Sequence, residues 1–155
     1  MKDWFVFVDV SGSLLADAKA EIVGECLRCF LQDKSINPEH VYLWGDEVQP
    51  WSSATLHDPV AWRGLFSGMG RLESLVASIR EKDCYALVIS DGYVFHDASS
   101  EEKLRFKEVK ADTALLLLEQ DRRLNLKGCL DEKKIFSPSE LMILSDRLKV
   151  DGQGI

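Results

Sequence analysis

The chain predicts an α/β fold: a doubly wound, mostly parallel central sheet with one antiparallel edge strand and helices on both faces. Three observations carry that expectation. Short, wholly apolar runs recur at Trp4–Val8, Tyr85–Ile89 and Ala114–Leu118, too short for helices and without polar alternation. Such runs are the mark of strands buried on both faces of a parallel sheet. Helix-period segments alternate with them, which is the pattern of crossover connections. Finally, two of these runs end on a carboxylate, Asp9 and Asp91, each beside small polar residues.

In chain order, Trp4–Val8 is the first strand, and Asp9-Val10-Ser11-Gly12-Ser13 is the turn at its carboxyl end. A helical stripe follows from Leu15 to Leu31, with Ile22, Cys26 and Phe30 in one row and Val23, Leu27 and Leu31 in the next. Ser13 is its expected N-cap, and Asp17, Lys19, Glu21, Glu25 and Arg28 form its solvated side. His40–Trp44 is a second strand. Gly45-Asp46 then turns the chain into a short antiparallel strand, Glu47–Gln49, that Pro50 ends. Between Trp51 and Gly70 the periodicity dissolves into a loop with one short helix. Helix returns over Arg71–Lys82, with Leu72, Leu75, Val76 and Ile79 on one side. After Tyr85–Ile89 comes Ser90-Asp91-Gly92. Ser99 caps a charged helix through about Val109, Ala114–Leu118 is the third buried strand, and a charged connection spans Glu119–Lys127. Lys134-Ile135-Phe136 is a last short strand, and Ser137-Pro138 opens a final helix over Glu140–Leu148. One domain over residues 1–150 is expected, with 151–155 as a frayed tail.

Composition narrows the function. A formal net charge of −7 argues against a nucleic-acid partner, because phosphate binding needs a surplus of Lys and Arg. No apolar run approaches the ~20 residues of a spanning helix, and the N-terminal run leads to Asp9 without a signal-peptide cleavage site. A cytoplasmic location is the expectation. Cys26, Cys29, Cys84 and Cys129 are read as buried reduced thiols, since no second C-x-x-C or histidine pair accompanies Cys26-x-x-Cys29 to build a zinc site. Trp44, Trp51 and Trp62 are expected to pack inward.

The turn after the first strand carries the chemistry. Crevices beyond the carboxyl ends of strands are where open α/β sheets bind ligands. Asp9 offers an anionic oxygen and Ser11 and Ser13 neutral ones, and Gly12 permits a tight backbone. If the strands ending at Asp9 and Asp91 are neighbours, both carboxylates and both hydroxyls meet in one pocket. Such a set suits a hard cation of the magnesium type.

These residues resemble a known family. DVSGS after a buried first strand, the VYLWGDEV hairpin and VISDG after a later strand are similar to a von Willebrand factor type A (vWA) domain, over about Trp4–Leu148. The resemblance implies a Rossmann-like vWA fold and a metal-ion-dependent adhesion site (MIDAS). In that site Asp9, Ser11, Ser13 and Asp91 would be metal ligands for Mg, or Mn. It implies a partly degenerate site as well, because Gly70 in Gly68-Met69-Gly70-Arg71-Leu72 stands where the family has a threonine. Arg71 is then expected to project positive charge towards the cation. By the same resemblance the chain is a protein-interaction module without turnover. Its partner would be a protein that gives a carboxylate to the metal, or an AAA-type ATPase.

Two other functions compete. A Mg-dependent phosphoryl-transfer hydrolase of the haloacid dehalogenase type also ends its first strand on Asp, but it needs an acidic residue two positions on, where this chain has Ser11. A metal-free scaffold with a vestigial site is the other, and Gly70 is its support. A dinucleotide fold would need G-x-G-x-x-G after the first strand, which is absent.

Overall fold

The computed structural model describes residues 2–126 and 128–149; the expected tail, 151–155, lies outside them. Six strands form one sheet in the order β3-β2-β1-β4-β5-β6. They are β1 (Trp4–Asp9), β2 (Val41–Trp44), β3 (Val48–Pro50), β4 (Tyr85–Ser90), β5 (Thr113–Leu117) and β6 (Ile135–Phe136). All pairings are parallel except β2 with β3. The helices are α1 (Lys19–Gln32), α2 (Pro59–Gly64), α3 (Leu72–Lys82), α4 (Tyr93–Asp97), α5 (Ser100–Phe106) and α6 (Leu141–Leu148), with short 3₁₀ segments in many of the connections.

The pleat of β1 explains why its run is apolar throughout. Alternate side chains point to opposite faces, and both faces are covered. Val6 and Val8 join Val23, Leu27 and Phe30 of α1, Trp62 of α2 and Leu144 of α6. Phe7 joins Leu72, Leu75 and Ile79 of α3, with Phe95 and Phe106 of the short helices. The tryptophans pack inward as expected: Trp44, Trp51 and Trp62 are all buried.

Several expectations need correction. The helix after β1 does not start near Leu15. Gly12–Ala18 forms a 3₁₀ turn that breaks at Asp17 and Ala18, both in the left-handed region (φ 56° and 59°), and α1 begins at Lys19. Ser13 is therefore not the N-cap of α1; that position belongs to Ala18, and no side chain caps it. Left-handed backbone is disfavoured for residues with a Cβ, so nothing in the residue types announces the break. Ile22, placed on the apolar stripe, is exposed, and so is Cys29; Cys26, Cys84 and Cys129 are buried as expected, and none of the four is bonded to another. The short helix α4 has no counterpart among the expected elements. The Ser99 cap does form: its hydroxyl accepts from the Glu102 amide, and the Glu102 carboxylate accepts from the Ser99 amide.

Candidate metal centre

Three chain segments meet at the carboxyl edge of the sheet. β1 and β4 are direct parallel neighbours, so the turns that follow them lie side by side. The third segment, residues 67–71, is strapped onto the exit of β1: the Ser67 amide donates to the Val10 carbonyl (2.8 Å) and the Gly12 amide to the Gly68 carbonyl (3.0 Å). Its far end is held by Trp44, whose indole N–H donates to the Arg71 carbonyl at 2.8 Å.

The four residues singled out from the sequence are brought together. Asp9 and Asp91 are fully buried. Ser11 Oγ donates to Asp9 Oδ1 (2.6 Å) and lies 3.3 Å from Ser13 Oγ, which donates to Asp91 Oδ2 (2.6 Å). The result is one continuous row of oxygens, carboxylate–hydroxyl–hydroxyl–carboxylate. Neighbouring ligands on a magnesium octahedron with ~2.1 Å bonds sit about 3 Å apart, and the spacings in this row bracket that value. The donor set is all oxygen and only two members are anionic, which fits a hard divalent cation. Among the described residues no group of three or more His, Cys, Asp or Glu side chains offers an alternative centre.

Ser90 is a participant that the sequence analysis left without a role. It is buried, its hydroxyl donates to Asp9 Oδ2 (2.7 Å), and its oxygen accepts from the Gly92 amide (3.0 Å). Asp9 thus accepts three hydrogen bonds, counting the Ser11 amide at 2.9 Å. Even so, burial pushes the Asp9 carboxyl up to about 6, with the nearby Asp91 charge adding to the effect and the Ser11 and Ser90 hydrogen bonds opposing it. On the other side, the Tyr93 amide donates to Asp91 Oδ1 at 3.2 Å.

Gly70 faces Asp9. A Cβ at this position would stand 3.7 Å from Asp9 Oδ1 and 3.3 Å from the Trp44 ring, so position 70 looks onto the oxygen row without adding an oxygen to it. Arg71 does not reach the pocket as expected. Its side chain is 70% exposed and lies 3.6 Å from Asp46, to which it is drawn by charge at the mouth of the β2–β3 turn.

The positive charge at the site is Lys19 instead, a residue read from the sequence as part of a solvated helix face. Its ammonium is 2.6 Å from Glu119 Oε1 and 3.5 Å from Asp91 Oδ2, and its side chain is only 6% exposed. Burial acts to lower the Lys19 pKa, but the Glu119 hydrogen bond and the Asp91 charge outweigh it, so the ammonium is held above the ordinary lysine range. Outside the row, a cleft of about 190 Å³ opens between Ser11, Ser13, Met69, Gly70, Tyr93 and Asp97. Met69 and Tyr93 are exposed at its rim.

No protein-family model matches the chain, and no curated protein matches it in sequence. Solved structures do. The chain is similar to proximal thread matrix protein 1 (PTMP1) from the mussel byssus with a zinc-occupied MIDAS motif. There the TM-score is 0.57 at 14% identity, covering 96% of this chain and 47% of that one. A second crystal form of PTMP1 gives 0.54 at 17% identity, over 97% and 46%. A von Willebrand factor type A structure from Catenulispora acidiphila gives 0.56 at 9%, over 96% and 42%. The chain spans less than half the length of each of these proteins. The fold is that of a vWA domain, as the sequence led us to expect. No helix among the described residues is long and apolar enough to cross a membrane.

Proposed function

We propose that this chain, built on the vWA fold over residues 1–150, is a protein-interaction module whose carboxyl-edge pocket holds a divalent cation. The observation that supports this reading is the convergence of Asp9, Ser11, Ser13 and Asp91 into one oxygen row beside an open cleft. Those four residues would hold Mg²⁺, or Mn²⁺. Bound there with few anionic ligands, the metal supplies an electrophile with open positions, suited to a carboxylate oxygen from another protein. The chain's own contribution is positional. The Ser67–Val10 and Trp44–Arg71 hydrogen bonds hold the 67–71 turn against the row, and Met69 and Tyr93 offer apolar surface at its rim for a docking partner. The zinc-occupied MIDAS of PTMP1 lends support to a divalent ion at this edge. The hydrolase reading has no support at position 11, where Ser11 presents a hydroxyl instead of an acid. An AAA-type ATPase is one partner of the proposed kind, and the unpaired cysteines suit a cytoplasmic setting.

The direct test is thermal melting with and without Mg²⁺ or Mn²⁺. The melting temperature is expected to rise with metal in the wild type and to stay put in Asp9→Ala; no metal-induced rise in the wild type would overturn the proposal. A pH series sharpens it. Metal needs the ionised carboxylate, and the Asp9 carboxyl is pushed up to about 6. The stabilisation by metal is therefore expected in full near pH 8 and to fade as the pH falls through about 6.

Position 70 gives an independent check. Gly70→Ser adds a hydroxyl near Asp9 while its Cβ presses on the edge of the Trp44 ring. Mn²⁺ affinity measured by titration calorimetry is expected to rise several-fold, with a small loss of melting temperature from the tight contact. An unchanged affinity would mean that position 70 does not face the ion.

A further inference from the structure

We propose that Lys19 is a tethered counter-cation of the pocket, neutralising Asp91 when no metal is bound and opposing the metal when one is. Only the second half rests on the metal reading above.

The placement of Lys19 is unusual on two counts. Lysine is almost never buried unless paired, yet this side chain is nearly enclosed at the first position of an amphipathic helix. The two residues before it, Asp17 and Ala18, are left-handed without being glycine. Such backbone persists only where its surroundings hold it in place. The break they form separates the 3₁₀ turn from α1 and sets the face on which position 19 falls.

The contacts of Lys19 close a ring around Asp91. Its ammonium bridges Glu119 Oε1 (2.6 Å) and Asp91 Oδ2 (3.5 Å). Glu119 Oε2 accepts from Arg122 Nε at 2.9 Å. The Arg122 guanidinium lies over the Tyr93 ring, 3.3 Å from its centroid, and the Tyr93 amide returns to Asp91 Oδ1. Glu119 therefore holds the ammonium at one end, leaving its charge directed at the one carboxylate of the row that lacks the Ser90 hydroxyl. Two buried carboxylates with no nearby cation would repel each other. Lys19 relieves that repulsion from within the chain. A divalent ion on the same row would meet the ammonium's charge at short range, and at an effective dielectric of about 20 that repulsion is enough to weaken binding by at least about 10-fold.

A double-mutant cycle in EDTA tests the first half: urea unfolding of the wild type, Lys19→Met, Asp91→Asn and the double variant. Lys19→Met is expected to destabilise the fold, and Asp91→Asn to suppress most of that loss. Should Lys19→Met fail to fold alone, the double variant is expected to fold. An equal loss with and without the Asp91→Asn change, or a double variant that does not fold, would overturn the inference. Suppression by Glu119→Gln instead of Asp91→Asn would do so too, since Lys19 would then serve only Glu119. Mn²⁺ titration tests the second half: Lys19→Met is expected to bind at least about 10-fold more tightly than the wild type, and equal affinities would overturn it. If neither protein binds Mn²⁺, the opposition to metal falls together with the metal reading, while the cycle in EDTA still decides the counter-cation.

Discussion

Asp9→Asn is expected to raise the melting temperature of the metal-free protein at pH 8 while abolishing its response to Mg²⁺. The reason is the cost of keeping a carboxylate ionised in a fully buried site. A displacement of the Asp9 pKa from 3.8 to about 6 corresponds to on the order of 3 kcal/mol. The sign follows from the direction of the shift. A carboxyl raised in the fold weakens stability as the pH climbs from the unfolded value through the folded one, and the full cost is present above about pH 6. Asparagine removes that cost and keeps a carbonyl oxygen for the Ser11 amide and hydroxyl. It gives up the acceptor of the Ser90 hydroxyl, which offsets about 1 kcal/mol. The balance is a rise of roughly 4 °C or more for a chain of this size. The advantage of the variant should shrink as the pH falls below about 6 and be gone only below about pH 4, where Asp9 is protonated in the folded and the unfolded chain alike. Scanning calorimetry across that range checks both points; a variant less stable than the wild type at pH 8 would show that Asp9 is kept for structure.

Trp44→Ala is expected to cost the most stability of any single change near the site, about 3–5 kcal/mol. Trp44 is fully buried at the end of β2, packs edge-on against Phe95, supports Gly70 and donates to the Arg71 carbonyl. Its loss opens a cavity between the sheet and the 67–71 turn and removes one of the hydrogen bonds to that carbonyl, which keeps those from the Ser74 hydroxyl and the Leu75 amide. Trp44→Phe separates the two effects. It fills most of the volume and loses the hydrogen bond, so it should cost about 1–2 kcal/mol and leave the cores on both faces folded. Urea unfolding measures both; equal losses would mean that the indole N–H carries the whole effect.

Much of this was legible in the chain because the central strands are covered on both faces, which writes itself as unbroken apolar runs at Trp4–Val8 and Tyr85–Ile89. Two such strands each ending on Asp made the pocket readable once their adjacency was assumed, and the parallel β1–β4 register supplies that adjacency. What escaped depended on single conformations or distant partners. The break at Asp17 and Ala18 uses residues compatible with helix, so periodicity extends the apparent helix back to Leu15. Lys19 looks like any charged helix residue until Glu119, a hundred positions away, is set beside it. Ser90 lies in a motif that stands out, but its hydroxyl matters only because β1 is next door. Arg71 turns away from the pocket because a side chain with an acidic neighbour in the next turn follows that neighbour, and Asp46 is such a neighbour.

The position of β1 in the middle of the sheet also sets an order of events during synthesis. Its neighbour on one side is β4, and the hydrogen bond from Ser90 to Asp9 spans 81 positions of chain. The strand bearing Asp9 thus leaves the ribosome long before the partner that shields it, and contacts this distant form late and slowly. Through that interval its apolar run is open to chaperones and to other nascent chains, and the two acidic side chains meet only when the halves of the polypeptide are finally joined.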